Sequence, residues 1–339
     1  MMPVPRQRRL RGGIDLGGTK IEAIVVDQSY SVLGRARGPT PTAGGPEEVA
    51  TAMAAVMREA AIAASVDAAA LTGVGVGSPG KVDQATGAVA GARNLPGWNG
   101  SFALGPTLEQ LLDTQVALGN DVEVATNAEL VLGAGRPYQS LLGVNWGTGV
   151  GGGIVIGRKL WIGRGDAGEI GHTVVRQGGH RCTCGRRGCV EAYAGRAAME
   201  IQARKLHGSG KQTALFEIMR ERKRDRLTSS IWQRALEAGD RVAARLIDDA
   251  VSALGAGIAS AINLLDVEAV IIGGGLGVRL GAPYVERIVA AMAPHLFVSD
   301  RPPHVHLSGL GDLSGALGAT LIAPKRGRAA HVAPADAPS

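Results

Sequence analysis

All three cysteines of the 339-residue chain, Cys182, Cys184 and Cys189, fall in the stretch GEIGHTVVRQGGHRCTCGRRGC, together with His172 and His180. Three thiols cannot all pair within one chain. The basic leader MMPVPRQRRLRGG is followed by no apolar run of the kind that directs export, so the expectation is a cytoplasmic protein with reduced thiols. Thiolates grouped with an imidazole suit Zn2+ in a closed tetrahedral site. The glycines at Gly185 and Gly188 let the loop turn sharply enough for the sulfurs to converge. The fourth ligand is then His172 or His180. A ligand more distant in sequence ties the loop to another element, which favours His172. The alternatives are small apolar core cysteines or one reactive thiol, and neither explains the clustering with glycine.

A second chemical feature is GGIDLGGTKIEAIVVD, which reads as strand, glycine turn, strand. Gly17 and Gly18 let backbone N–H groups approach phosphate oxygens, Thr19 donates a hydrogen bond, Lys20 adds charge, and Asp15 is placed to hold Mg2+ through water. No helix follows these glycines, so this is neither a Walker loop nor a dinucleotide fingerprint. A plain hairpin turn is the simpler reading. The segment LLGVNWGTGVGGGIVIG, with Gly147, Thr148 and Gly149, repeats the strand, glycine turn, hydroxyl and strand. A further glycine turn, VEAVIIGGGLG, carries Gly273, Gly274 and Gly275.

The elements that must hold these groups follow from pattern. An amphipathic helix is expected from Pro46 to Ala64, a strand in LTGVGVGSPGKVD ending at the Pro79–Gly80 turn, and a short strand and loop in GAVAGARNLPGW. The two similar glycine-turn units suggest a duplicated α/β domain clamping a nucleotide. Hydrophobic content of 45% and the length fit a globular protein of two domains, and 51 glycines imply many tight turns and close approaches to a ligand. No apolar run is long enough to span a membrane. The net charge of +6 sits largely in RQRRLR, RERKRDR and PKRGR, which read as solvated runs, and aromatic residues to stack on bases are scarce. Nucleic-acid and membrane partners are therefore not expected.

The motifs IDLGGTK, GSPGKVD, ARNLPGW, NDVEVA, GTGVGGG, GEIGH, CTCGRRGCVEAYAG and VIIGGG together resemble the ROK family of repressors and sugar kinases, and its bacterial glucokinases above all. The resemblance runs from IDLGGTK to about Thr320. It implies a duplicated actin-like, ribonuclease H-like α/β ATPase fold, in two domains with a ligand cleft between them. Residues 11–119 with about 315–325 would form a small domain. Residues 120–314 would form a large one carrying the zinc loop and a homodimer surface, with 1–10 and 326–339 disordered. Structural Zn2+ would bind His172, Cys182, Cys184 and Cys189, leaving His180 as a loop residue.

The same resemblance implies ATP-dependent phosphorylation of a hexose, glucose first, with Mg2+ neutralising phosphate charge. Asp121 would be the general base that accepts the sugar hydroxyl proton, beside Asn120. Either residue is also a good helix N-cap, and one residue can do both. Glu169, His172 and Glu191 would complete the sugar cradle, with Glu191 as a solvated helix residue the alternative. Gly80 and Asn94 would be weaker sugar contacts or simple turn residues. Asp15, Gly17, Gly18, Thr19, Lys20, Gly147, Thr148, Gly149 and Gly273–Gly275 would surround the nucleotide. His172 could offer one ring nitrogen to zinc and the other to a sugar hydroxyl.

Two departures stand out. NDVEVATNAE replaces a more alanine-rich helix, and Asn145–Trp146 stands before GTG where smaller residues are usual. Trp146 either narrows the nucleotide end or is a core residue. A repressor would carry a DNA-binding domain ahead of IDLGGTK, and only about a dozen residues precede it. A non-catalytic sugar-sensing protein would be expected to lack Asp121 or a phosphate turn. Kinases for N-acetylmannosamine, N-acetylglucosamine, fructose or allose, and polyphosphate as donor, remain alternatives.

Overall fold

The structure is a computed structural model that describes residues 9–92, 95 and 97–325. Asn94 and most of the two termini expected to lack order lie outside the described residues. The chain divides into two compact units, residues 1–125 with 315–339 and residues 126–314. Asn120 and Asp121 thus belong to the first unit.

In chain order the first unit contains β1 (Arg11–Leu16), β2 (Lys20–Val26), β3 (Val32–Pro39), α1 (Gly45–Ala63), β4 (Val74–Ser78), β5 (Lys81–Asp83), β6 (Ala88–Ala90), β7 (Ser101–Phe102), α2 (Leu104–Leu112) and β8 (Val116–Asn120), and α3 (Asp121–Val131) leads into the second. The second unit adds β9 (Leu141–Trp146), β10 (Val150–Ile156), β11 (Lys159–Trp161), α4 (Glu191–Ala194), α5 (Arg196–Gly208), α6 (Leu215–Glu221), α7 (Ser229–Glu237), α8 (Arg241–Leu265), β12 (Ala269–Gly273), α9 (Gly274–Leu280), α10 (Ala282–Met292) and β13 (His304–Leu307). The last helix, α11 (Ser314–Ile322), returns to the first unit.

Each unit is built on one five-stranded sheet, in the orders β3-β2-β1-β4-β8 and β11-β10-β9-β12-β13. The pairing is the same in both. Three antiparallel strands in series are followed by two parallel strands, β4 and β8 in one sheet and β12 and β13 in the other. The duplication read from the two glycine turns is thus a duplication of sheet topology. The turns themselves join equivalent strands, β1 to β2 and β9 to β10.

The helices form where the pattern asks for them. Pro46 opens α1, Glu47 and Glu48 favour its positive end, and Val49, Met53, Val56, Met57 and Ala60 bury one face at three- and four-residue spacing. The 25-residue α8 is capped by Asp240, whose carboxylate accepts from Ala243 N at 2.8 Å. Helix α11 lies directly on β1 and β4: a Cβ at Gly75 would come within 1.8 Å of Ala319 O. A larger residue there would push the helix off the sheet. VEAVIIGGGLG differs from expectation, because helix α9 begins at Gly274 where a simple turn was read.

Candidate functional site

The first unit gathers one set of the residues read from sequence. Thr40 pins the β1–β2 turn from outside, its hydroxyl donating to Gly17 O at 2.6 Å, while Gly17 N donates to Lys20 O at 2.9 Å. This leaves Gly18 and Thr19 at the apex. Lys20 does not stand alone, since its ammonium lies 3.6 Å from the Glu22 carboxylate. Asp15, at the end of β1, packs its carboxylate onto the first turn of α11: a Cβ at Gly315 would fall 2.5 Å from Asp15 Cγ. The carboxylate of β1 and the start of the last helix are therefore in direct contact.

The parallel pairing of β4 with β8 sets Ser78 opposite Asn120. Asn120 Nδ2 donates to Gly80 O at 3.4 Å, and its Oδ1 accepts from Val122 N at 3.0 Å and Glu123 N at 3.2 Å. Asn120 is thus the side chain that caps α3. Asp121 follows at the first helical position, with Oδ1 3.0 Å from Val122 N. Gly80 has a φ of +88° and meets the backbone of Ala90 and Ala92, so it is a turn residue required by conformation as well as a neighbour of Asn120.

The second unit holds the cysteine loop. His172, Cys182, Cys184 and Cys189 place their ligand atoms within 4.8 Å of one another. Cys184 and Cys189 sulfurs are 3.8 Å apart, and Cys182 Sγ is 3.6 Å from His172 Nδ1. A tetrahedron with Zn–S near ~2.3 Å and Zn–N near ~2.0 Å has edges of about 3.8 and 3.5 Å, so the donor set and its spacing fit Zn2+. The three thiols ionise unequally. Burial and the neighbouring sulfurs push Cys189 up to about 12, whereas hydrogen bonds at Arg186 outweigh burial and bring Cys184 down to about 6. Three thiolates together call for a cation. Gly188, with φ of +86°, is indispensable to the loop because a Cβ would lie 1.7 Å from Arg176 O. His180 is outside the cluster: its backbone N–H donates to Tyr193 OH at 3.0 Å, and its ring packs on the Tyr193 ring at 4.7 Å.

Of the residues read as a sugar cradle, Glu169 is exposed and its carboxylate lies 3.8 Å from His172 Nε2. His172 therefore turns Nδ1 to the sulfurs and Nε2 to Glu169. Glu191 opens α4 and points at the β9–β10 turn. Its Oε2 accepts from Val150 N at 3.0 Å and its Oε1 accepts from Thr183 Oγ1 at 3.1 Å. That carboxylate occupies the space a Cβ at Gly149 would need, 2.4 Å away.

The β9–β10 turn is also held from a second side. Arg196 N and Ala197 N donate to Gly147 O and Thr148 O at 3.2 and 3.0 Å, and Arg196 Nη2 donates to Thr148 Oγ1 at 2.7 Å. Gly274, φ +80°, passes so close to Asn145 Oδ1 and the Trp146 backbone that no side chain fits, which seats the start of α9 against the same turn. Gly275 lies beside Ser229 of α7, and Gly273 beside Ser308. Trp146 is wholly buried, with Nε1 donating to Ala194 O at 2.8 Å, so it is a core residue.

Sequence reasoning missed three polar residues here. Glu129 is buried and accepts from Ala134 N, Gly309 N and Leu310 N at 3.0, 3.0 and 3.1 Å and from Ser308 Oγ. Glu200 is buried and joins Arg204, Arg226 and Leu227 N. Arg196 was passed over between two motifs, though an arginine at the first position of a helix, against the helix dipole, is itself a signal.

A profile of the ROK family matches residues 11–326. The chain is 32% identical to a glucokinase of Thermotoga maritima, over 93% of this chain and 97% of that one. It is 32% identical to an N-acetylgalactosamine kinase of Shewanella sp., over 91% and 95%. Among solved structures it is similar to a ROK family glucokinase from Streptomyces griseus in complex with glucose and AMPPNP, with a TM-score of 0.79, 31% identity and coverage of 93% and 99%. Among the described residues, no helix is long and apolar enough to cross a membrane.

Proposed function

From the premise that the chain belongs to the ROK family and is a sugar kinase, we propose that it transfers the γ-phosphoryl group of ATP to a hexose, glucose before others. The observation that carries the mechanism is the division of labour at the start of α3. Asn120 supplies the two acceptor contacts that cap the helix, so the neighbouring Asp121 is not required as the cap. Asp121 is the general base. It takes the hydroxyl proton as the sugar oxygen attacks the γ-phosphorus, and the P–O bond to ADP breaks in line. Asn120 and Gly80 orient the sugar, with Asn94 a further contact.

Glu169, His172 and Glu191 also serve the sugar, held by a loop whose shape Zn2+ on His172, Cys182, Cys184 and Cys189 would fix. When bound, that ion supplies rigidity and neutralises the sulfur charge. The Gly17–Thr19 and Gly147–Gly149 turns, with Gly273–Gly275, offer backbone N–H groups to phosphate and nucleotide, and Asp15 is the residue that would hold Mg2+ through water. A homodimer is part of the reading. The glucokinase and N-acetylgalactosamine kinase relatives share the same identity to this chain, so the hexose is decided by experiment. The test is an ADP-release assay with ATP or polyphosphate against glucose, fructose, allose and the N-acetylated hexosamines. The proposal stands if glucose with ATP gives the highest kcat/KM, and an N-acetylated sugar leading by tenfold would replace glucose in it.

A further inference from the structure

Arg196 stands at the β9–β10 turn with its guanidinium hydrogen-bonded to no carboxylate among the described residues. Two carboxylates lie in this neighbourhood, and both are engaged: Glu191 with Val150 N at 3.0 Å and Thr183 Oγ1 at 3.1 Å, and Glu200 through Oε1 with Arg204 at 2.7 Å and Oε2 with Arg226 at 3.3 Å and Leu227 N at 2.9 Å. Arg196, one helical turn before Glu200, makes no hydrogen bond to it, and the Glu200 charge only partly offsets the effect of burial. Among the described residues its guanidinium has one hydrogen-bond partner, and that is neutral, the Thr148 hydroxyl at 2.7 Å. A guanidinium has five N–H donors in a planar fork suited to paired oxygens. One bond to a hydroxyl leaves most of that capacity unused.

Two further features make the position costly for an apo protein. Arg196 is the first residue of α5, where the helix dipole repels a cation. Burial, together with Arg226 nearby, disfavours the charged form and draws the Arg196 pKa down. A cation kept in such a place, in contact with the hydroxyl of a glycine turn, is suited to an anion that arrives later.

We propose that Arg196 is a phosphate-binding residue of the nucleotide site, donating with Thr148 to the phosphoanhydride chain of the phosphoryl donor. This rests on the reading of Gly147–Gly149 as a phosphate turn. Arg196 supplies the charge that the turn lacks, since its glycines offer only N–H groups and Thr148 a neutral hydroxyl. The shared ligand chemistry is a chain of linked phosphates, whether of ATP or of inorganic polyphosphate.

The experiment is calorimetric titration of wild type, Arg196→Met and Arg196→Lys with adenosine, AMP, ADP, ATP and tripolyphosphate, alongside thermal unfolding without ligand. Arg196→Met is expected to weaken ATP binding at least tenfold, with a smaller loss for ADP and AMP and none for adenosine. Arg196→Lys should fall between it and wild type. Unliganded Tm should stay level or rise, because an unneutralised cation has been removed. If Arg196→Met fails to fold, Arg196→Lys alone carries the comparison, with the same ordering by phosphate number. Affinity for ATP within twofold of wild type, or an equal loss for adenosine and ATP, overturns the proposal and makes Arg196 a support for Thr148. Wild type that binds tripolyphosphate but not ATP, with the binding lost in Arg196→Met, upholds Arg196 while overturning ATP as the donor. Wild type that binds neither overturns both.

Discussion

The carboxylate of Glu191, two residues along the chain from Cys189 of the cysteine cluster, accepts a hydrogen bond from the backbone N–H of Val150 at 3.0 Å. A single short segment, Cys189 to Arg196, therefore carries a sulfur of the cysteine cluster, the carboxylate that holds one end of the β9–β10 turn, and the guanidinium that holds its threonine. Whatever fixes Cys189 also fixes the turn. A metal held by the four donors would therefore also brace the turn, although no ligand atom belongs to the turn itself.

Metal removal should consequently show in both stability and substrate use. Purified protein is expected to contain about one zinc per chain, and Cys184→Ser to lose it, since three remaining donors hold Zn2+ poorly. The Tm should drop and the KM values for sugar and ATP should both rise. Elemental analysis beside thermal unfolding and steady-state kinetics provides the check. A fully active preparation without metal would contradict the role given to the cluster.

Gly188→Ala tests the same loop without touching a ligand. At φ +86° an alanine is strained, and the new methyl would meet Arg176 O. The loop must move, at a cost of at least about 1–3 kcal/mol for a residue forced into a sparsely populated conformation. Chemical denaturation should report that loss together with weakened zinc retention. Gly185→Ala, at φ +91° but with no neighbour within 4 Å of the added methyl, should be the milder change. Equal effects at the two glycines would show that the Arg176 contact does not matter.

Glu22 gives a prediction in pH. Its side chain is fully buried, which by itself favours the neutral acid, but Arg35 at 2.6 Å, Arg37 at 2.5 Å and Lys20 at 3.6 Å outweigh burial and hold its pKa below the ordinary carboxylate value. The folded pKa is depressed, so the stabilisation is present above the unfolded value near ~4.3 and is lost as pH falls through the folded one. Both arginines are nearly half exposed, so solvent screening discounts the pairs, and Glu22→Gln should cost about 1–3 kcal/mol at pH 7. The difference between wild type and Glu22→Gln should shrink steadily below about pH 4. Urea unfolding at a series of pH values reads it directly, and a gap that is independent of pH would reject the ion-pair account.

The legibility of this chain follows from the range of each interaction. Glycine turns and the Cys-x-Cys-Gly-x-x-Gly-Cys loop are local, and a few adjacent residues encode them, so the hairpin turns and the cysteine cluster could be read directly. The equal strand orders of the two sheets could only be suggested, because parallel pairing of β4 with β8 or β12 with β13 depends on residues far apart in the chain. Glu129 carries little sequence signal: apart from Ala134 N, its partners, Ser308 to Leu310, come some 180 residues later. Trp146 beside the GTG turn is open to a ligand role or a core role, and its complete burial with the bond to Ala194 O decides for the core. The start of α9 was misread because glycine is a poor helix former, and here Gly274 is required by the Trp146 backbone against it.

The most exposed prediction concerns Asp121. Asp121→Asn keeps the size of the side chain and one acceptor oxygen, and Asn120 still caps α3 through Val122 N and Glu123 N. Folding and sugar affinity should therefore change little, with Kd within about tenfold, or roughly 1.4 kcal/mol. An amide cannot take up the hydroxyl proton as the bond to phosphorus forms. General-base catalysis contributes ~10^2 to 10^4 in rate, so kcat should fall by at least about 10^2, and further if the carboxylate also aligns the attacking oxygen. Asn120→Ala should behave in the opposite sense, costing about 1 kcal/mol of stability through the lost cap while keeping measurable turnover. Calorimetric sugar binding and steady-state kinetics on the two variants separate proton transfer from capping. A kcat for Asp121→Asn within a few-fold of wild type would remove Asp121 from the chemistry and leave the start of α3 with a structural role alone.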